Sequence, residues 1–345
     1  MQLEPSAQVL EKERLVLDAL ARLGNIQPGS FTMLPTAGTG TDTGTRRRAT
    51  LHWGSQGLGY FGRRSHKPVR VEVCPALVPI LAALPGQLSG LLKPLGHLLD
   101  AVHLLAEGDS VSVALALSGA VSVRARTVAQ GLVRGGLVQG VVLADAEGRT
   151  EEVGRPVLDG QAPERPEVHL RFRADAFAQA HAAGVDALVG RALDFLGPRA
   201  SDHALELYAG NGTFTFALAS RVASVVAVES SAVSLALAGT AARASEVRNI
   251  RWIQGDARRV CEGLVKEGTR FDVLLVDPPR TGAPRLAETA RALGVRQLVY
   301  VGCDSGSLAR DAARLVEAGL RLETLQLVDL FPNTHHVEVL LAFAV

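Results

Sequence analysis

Apolar positions in the first part of the chain fall into two patterns. Val9, Val16, Leu20 and Leu23, with Leu10 and Leu17 beside them, recur at helical spacing and stop at Gly24, which predicts one amphipathic helix over residues 6–23. From Thr50 to Val73 and from Ser110 to Leu143, short alternating runs such as Val111, Val113, Leu115 and Leu117 are broken by Gly and Ser, the signature of an antiparallel, strand-rich region. Thr36 to Thr45 is rich in Thr and Gly without an apolar anchor and reads as a loop. Beyond about Glu167 the pattern changes. Strand-like runs at 203–208, 225–229, 250–255, 271–277, 297–302 and 337–344 are separated by Ala- and Leu-rich helical segments. That alternation predicts an α/β fold with a doubly wound, mostly parallel, Rossmann-like sheet, preceded by a strand-rich α+β domain. We expect two domains, residues 1–165 and 166–345.

Composition narrows the class of molecule. With 345 residues, 47% apolar and 21% charged, the chain can bury two cores and is neither disordered nor fibrous. The formal net charge is only +1, so attraction to a polyanion has to come from local clusters of Lys and Arg. The longest uncharged stretch, Val73 to Leu92, is interrupted by Pro75, Pro79, Pro85, Gly86 and Gly90, which predicts short packed helices and no membrane span. The N-terminus is charged throughout and lacks the order of a secretory signal. Cys74, Cys261 and Cys303 lie far apart without a Cys-x-x-Cys pair, which speaks against a disulfide framework or zinc knuckle and fits a reducing, cytoplasmic setting.

Chemistry concentrates at predicted strand ends. Glu206-Leu-Tyr-Ala-Gly-Asn-Gly-Thr closes the first strand of the second half, and Gly210 and Gly212 permit a tight turn with close ligand approach. A lone Gly-x-Gly is a weak signal. Glu229 closes the next strand, where a carboxylate can accept two ribose hydroxyls, and Asp256 closes the one after. Thr215 stands where a dinucleotide turn has its third glycine, and the Lys-Ser/Thr ending of a phosphate loop is missing. Both features favour a nucleoside ligand without phosphates, of which S-adenosyl-L-methionine is the common one in this layout.

The other end of the sheet carries candidate reacting groups. Asp277-Pro-Pro-Arg280 forms a rigid, carboxylate-led loop; an arginine stands where base-amino methyltransferases place an aromatic. Cys303 follows the next strand and precedes a helix start, a position open to nucleophilic work, whereas Cys74 and Cys261 read as small buried hydrophobes. Glu338 opens the last strand. His335 and His336 are adjacent and lack a third ligand, so no metal site is expected.

Together, Phe177-Ala-Gln179, Leu207-Tyr-Ala-Gly-Asn-Gly212, Asp277-Pro-Pro-Arg280, Gly302-Cys303 with Leu308-Ala-Arg-Asp311, and Phe331-Pro-Asn-Thr-His-His-Val-Glu338 closely resemble the RNA 5-methyluridine methyltransferase family. The resemblance runs from about Arg46 to the C-terminus. It implies Cys303 as nucleophile, Glu338 as base, and Gln179, Tyr208, Gly210, Gly212, Thr213, Glu229, Asp256 and Asp277 as the S-adenosyl-L-methionine pocket. Departures are local: Asp304 stands where the family has Asn, Ser305 where it has Pro, and His181 and Thr213 where it commonly has Asn. Helix N-terminus and Asp304 pull the Cys303 thiol in opposite directions. Many members carry an N-terminal β-barrel and four cluster-binding cysteines ahead of the region that the resemblance covers; with three dispersed cysteines, one assigned to catalysis, neither that barrel nor a four-thiolate iron-sulfur cluster is expected here.

Between Arg46 and Arg70 there are seven Lys or Arg residues and no acidic residue, interleaved with His52, Trp53, Tyr60, Phe61 and His66. Arg46, Arg47, Arg48, Arg63, Arg64 and Lys67, with Arg280, are therefore candidate contacts to an RNA, either rRNA or tRNA. No obligatory protein partner is inferred. Two other readings remain at this level: a methyltransferase of a base amino group or small molecule, and an RNA-folding module whose chemistry has decayed, for which Asp304 and Ser305 speak.

Overall fold

The computed structural model describes residues 3–38, 43–62 and 65–345. Arg63 and Arg64 and part of the Thr/Gly-rich run, residues 39–42, lie outside the described residues. The chain forms two compact units, one containing residues 3–38, Gln161–Leu170 and Ala183–Val345, the other residues 43–160 and Arg171–Ala182. A single boundary at 165/166 is thus replaced by an interleaved one. The N-terminal helix, α1 (Pro5–Gly24), joins the C-terminal unit because Val16 and Leu20 bury in the same core as Ala309, Ala312 and Leu315. Gly24 allows the close approach, since a Cβ there would lie 3.0 Å from the Ala309 carbonyl oxygen. Asn25 ends the helix in the left-handed region, φ 51°. The buried stripe of α1 is Lys12, Val16, Leu20 and Gly24, while Leu23, one of the helically spaced apolar positions, and Leu10 beside them are exposed. After α1 come β1 (Thr32–Met33) and β2 (Ala37–Gly38), the latter inside the segment expected to be loop.

The N-terminal unit is built on β3 (Arg48–Gly54), β4 (Gly57–Phe61), β5 (Pro68–Arg70), β6 (Leu99–Glu107), β7 (Ser110–Leu117), β8 (Gly140–Ala144) and β9 (Thr150–Gly154), paired in the order β5-β4-β3-β6-β7-β8-β9. All neighbours are antiparallel except β7 and β8, which run parallel. Parallel pairing needs a crossover, supplied by α4 (Val123–Arg134), a helix the strand-rich reading of 110–143 overlooked. The uncharged Val73–Leu92 stretch folds as α2 (Pro79–Ala82) and α3 (Leu84–Leu91), whose Leu81, Leu84 and Leu88 are buried. Among the described residues no helix is long and apolar enough to cross a membrane. The chain then forms a two-stranded ribbon, β10 (Leu158–Ala162) and β11 (Arg165–Phe172).

The C-terminal unit begins with α5 (Ala182–Leu196) and continues through β12 (His203–Leu207), α6 (Thr215–Ala219), β13 (Ser224–Glu229), α7 (Ala232–Ala244), β14 (Ile250–Gln254), α8 (Ala257–Lys266), β15 (Val273–Val276), α9 (Leu286–Leu293), β16 (Gln297–Gly302), α10 (Ser305–Glu317), β17 (Arg321–Asp329) and β18 (Glu338–Ala344). Its sheet has the order β1-β17-β18-β16-β15-β12-β13-β14, with β2 beside β17. Strands β12 to β16 are parallel, and β18 is inserted antiparallel between β16 and β17. Leu274 and Val276 face a core shared with α1, α8, α9 and α10; their neighbours Val273 and Leu275 face one shared with α5 and α6. All six strands expected in this half are present. β17 was missed because a register shift between Leu322 and Thr324 breaks its alternation. The strand order reverses at β12, between β13 and β15, where open sheets of this kind take ligands at their carboxyl ends.

Candidate active site

The turn after β12 is held open by backbone geometry. Tyr208, Gly210 and Gly212 all have positive φ, at 64°, 58° and 94°. A Cβ on Gly212 would lie 2.6 Å from Cε2 of Phe216, so that position tolerates glycine alone. Glu229, at the end of β13, fixes the turn: its Oε2 accepts from the Gly210 amide (2.9 Å) and its Oε1 from the Ser231 amide (2.7 Å). Thr213 is buried and donates to Asn211 Oδ1 (3.0 Å). The helix after the turn, α6, is only five residues long.

Asp256 ends the β14 segment and caps α8, accepting from the Arg259 amide (3.1 Å). Burial, with the Asp256 carboxylate nearby, pushes the Tyr208 phenol up to about 12. Tyr208, Gly210, Gly212, Thr213, Glu229 and Asp256 therefore gather at three consecutive strand ends, as expected. A buried carboxyl that spacing did not single out lies beneath them. Glu206 is pushed up to about 8 by desolvation, partly relieved by Thr215 and reinforced by Asp277 and Glu229. The signal was available, since an acidic residue on a buried central strand has no solvent face.

The second group sits on β15, β16 and β18, which are adjacent. Asp277 is half-buried and its amide points to the Leu207 carbonyl (3.4 Å), tying the loop after β15 to the end of β12. Gly302 pairs with Val339, so Cys303 leaves β16 at the rung where Glu338 enters β18. Cys303 is half-buried, and its thiol is pushed up to about 11 by burial and by the negative Glu338 and Asp277, against a smaller opposing effect from exposed Arg280. Glu338 is 5% exposed and pushed up to about 8 by burial and Asp277, again opposed by Arg280. These four side chains form one electrostatic cluster.

Asp304 is not the opponent of the thiolate that its position suggested. Its Oδ1 caps α10 by accepting from the Ser307 amide (2.8 Å), which lowers its own pKa, and burial with Glu338 governs the thiol. The cap is one that an Asn could also make. Burial and the two carboxylates outweigh the opposing Arg280 and backbone hydrogen bond, so the net shift of the thiol is upward.

Gln179 belongs to the N-terminal unit, where it is buried and its carbonyl accepts from Arg47 Nε (2.9 Å). Arg47 requires a correction. It is 6% exposed, ion-paired to Glu107 and set over the Phe172 ring at 4.6 Å, so it is an internal cation and not a phosphate contact. Arg46 forms bridges to Leu77 and His181, and Arg48 lies over Phe177 at 5.5 Å with burial lowering its pKa. The interleaved aromatics divide: Trp53 and Tyr60 pack on the core, whereas Phe61 is 42% exposed, stacks on His52 at 3.8 Å and meets the edge of His66. Lys67 is exposed beside them. Among the described residues no cluster of His, Cys, Asp or Glu could hold a metal ion.

A parallel sheet with an inserted antiparallel strand, a glycine turn locked by a strand-end carboxylate and acidic groups at the next strand ends define a class I S-adenosylmethionine-dependent methyltransferase. Residues 157–343 match the family described as tRNA (Uracil-5-)-methyltransferase, and the chain belongs to that family of RNA uracil-5 methyltransferases. It is 30% identical to the 23S rRNA (uracil(1939)-C(5))-methyltransferase RlmD of Pseudomonas fluorescens Pf-5 over 97% of this chain and 75% of that one. Identity to the RlmD of Pseudomonas aeruginosa PAO1 is 31% over 99% and 76%. The fold matches the crystal structure of Pyrococcus abyssi tRNA (uracil-54, C5)-methyltransferase in complex with S-adenosyl-L-homocysteine, with TM-score 0.72 and 20% identity over 99% of this chain and 84% of that one.

Proposed function

We propose that this enzyme methylates carbon 5 of a uridine in ribosomal RNA through a covalent adduct between Cys303 and carbon 6 of the base. The observation that carries the reading is the meeting of Cys303, Glu338, Asp277 and Arg280 at the ends of three adjacent strands. Carbon 5 of uracil is too electron-poor to accept a methyl group unaided, so a nucleophile must first raise its electron density. The Cys303 thiol, half-buried, gives its proton to solvent and the thiolate adds to carbon 6, placing an enolate across carbon 5 and oxygen 4. S-adenosyl-L-methionine, when bound, supplies an electrophilic methyl group; the glycine turn, Tyr208, Glu229 and Asp256 would hold it. Once the enolate's electron pair has bonded carbon 5 to that methyl group, leaving the donor as a neutral thioether, Glu338 takes the remaining proton from carbon 5, and the electron pair left behind expels the thiolate and restores the ring. A carboxyl pushed up to about 8 is a stronger base, once ionised, than an ordinary one. Arg280 favours the anionic forms of both groups.

Support for ribosomal RNA is the substrate named for the two relatives at 30–31% identity. The exposed Phe61, His66 and Lys67, with half-buried His52 stacked on Phe61, are the part of the basic segment that could meet unpaired bases and phosphate. The deciding test maps 5-methyluridine across ribosomal and transfer RNA from cells with and without the gene, complemented by wild type, Cys303→Ala or Glu338→Gln. Expected are one ribosomal site restored by wild type alone and a slowly migrating RNA adduct with Glu338→Gln. Full methylation by Cys303→Ala would falsify the covalent route, and loss of a transfer-RNA site instead would redirect the substrate.

A further inference from the structure

Lys12 stands on the buried stripe of α1, where an apolar residue would fill the same space without needing a partner. Lys12 is 2% exposed, and its ammonium donates to Asp329 Oδ1 (2.7 Å) and to the Phe331 carbonyl (2.9 Å). One turn earlier, Gln8 donates to Asn333 Oδ1 (3.0 Å) and accepts from the Asn333 amide (2.7 Å). The partners are 317 to 325 residues away in sequence. One bond falls on Asp329, the last residue of β17, and the other three on the turn that leads from it to β18. Asn333 there is held at φ 62°, and Thr334 closes the turn onto the same Phe331 carbonyl (2.8 Å) while accepting from the His336 amide (3.2 Å). Asp329 directly follows Val328, the β17 residue paired with Glu338. The turn that α1 grips is therefore the one that delivers Glu338 into the cluster with Cys303.

We propose that Lys12 and Gln8 are positioning residues for the base, a latch by which α1 fixes the β17–β18 turn and with it the aim of the Glu338 carboxyl. The proposal rests on the reading of Glu338 as the base. Burial and two hydrogen bonds make Lys12 the stronger member; Gln8 sits nearer solvent and reinforces the tip of the turn. The side-chain hydrogen bonds of Lys12 and Gln8 go to Leu3, Asp329, Phe331 and Asn333 and none to the glycine turn after β12, so the latch acts on proton removal and leaves cofactor affinity alone.

The test uses the full chain with an RNA fragment carrying the target uridine, in wild type, Lys12→Met, Lys12→Arg, Gln8→Ala and Glu338→Gln. Methylation in a single turnover, adduct on a denaturing gel and affinity for S-adenosylhomocysteine are read together. Lys12→Met is expected to slow completion of the reaction by roughly ten- to a hundredfold, to accumulate adduct, and to leave cofactor affinity unchanged. Lys12→Arg should restore most of the rate, and Gln8→Ala should show a weaker defect of the same kind. Wild-type turnover without adduct by Lys12→Met, beside a Glu338→Gln that does accumulate adduct, overturns the latch and spares the base. Equal loss of cofactor affinity and rate also overturns it, because that marks general destabilisation. If Lys12→Met fails to fold, Gln8→Ala decides by the same two readouts. A Glu338→Gln enzyme that forms no adduct overturns the base assignment itself.

Discussion

The Tyr300 hydroxyl donates to Asp311 Oδ2 at 2.9 Å, and the same oxygen accepts the Ala283 amide at 2.6 Å. One buried carboxylate thus binds the strand leading to Cys303 to the loop that carries Asp277 and Arg280. Gly282 is required beneath it, since a Cβ there would lie 2.4 Å from that oxygen, and Arg314 donates to Oδ1 at 3.0 Å. Removing the phenol in Tyr300→Phe deletes one bond of three and should cost about 1 kcal/mol. Asp311→Ala strands the buried Ala283 amide as well and should cost more, about 1–3 kcal/mol beyond the first loss. In a double-mutant cycle followed by urea unfolding the two losses should not add; strict additivity would mean that the residues act independently.

Charge around Cys303 makes a second prediction with opposite signs at two neighbours. Arg280 favours the thiolate, so Arg280→Gln should slow iodoacetamide labelling of Cys303 at every pH by about two- to tenfold, modest because Arg280 is exposed. Glu338 opposes the thiolate only when ionised, and it ionises near pH 8. Glu338→Gln should therefore match wild type at pH 7 and label faster above pH 8. Peptide mass spectrometry separates Cys303 from half-buried Cys74 and buried Cys261. The same change of sign missing from the pH profiles would show that these charges do not reach the sulfur.

The two turn glycines separate close approach from backbone freedom. Gly210 has φ 58° but no protein atom within 4 Å of where a Cβ would project, so Gly210→Ala should cost about 1–2 kcal/mol of stability through backbone strain without displacing the turn. Gly212→Ala meets the Phe216 ring and, at 3.2 Å, Trp252. It should displace the turn and abolish S-adenosylhomocysteine binding in calorimetry. Equal effects from both substitutions would remove the steric argument.

Periodicity made the second half of the chain legible because buried parallel strands read as apolar runs with polar residues at their ends. Strand ends in turn made the cluster of Cys303, Glu338 and Asp277 visible before its geometry. What periodicity missed has physical reasons. The bulge in β17 hides that strand, and the crossover α4 alternates with Gly and Arg strongly enough to blur into its flanking strands. Arg47 counts as surface charge in any composition and becomes internal only through Glu107, Phe172 and the Gln179 carbonyl, all remote in sequence. Lys12 escaped for the same reason, since its partner Asp329 is 317 residues away.

Glu206 gives the remaining prediction, and its sign follows from proton uptake. The folded protein holds this carboxyl neutral up to about pH 8 because it is desolvated, with Asp277 and Glu229 nearby and no hydrogen bond to its Oε2 among the described residues. The unfolded chain releases the same proton near the ordinary value of 4.5. Between those values the folded state binds more protons, so this group's contribution is fully present below 4.5 and is lost as pH rises through about 8. Glu206→Gln is neutral at every pH and should remove that slope. Its melting temperature should equal or fall below that of wild type at pH 5 and exceed it by several degrees at pH 8.5. Glu338 contributes a slope of the same sign, so some pH dependence should persist in Glu206→Gln and vanish further in the double variant with Glu338→Gln. Parallel melting curves for wild type and Glu206→Gln across that range would show that Glu206 is ionised in the folded protein, with a counter-charge compensating its burial.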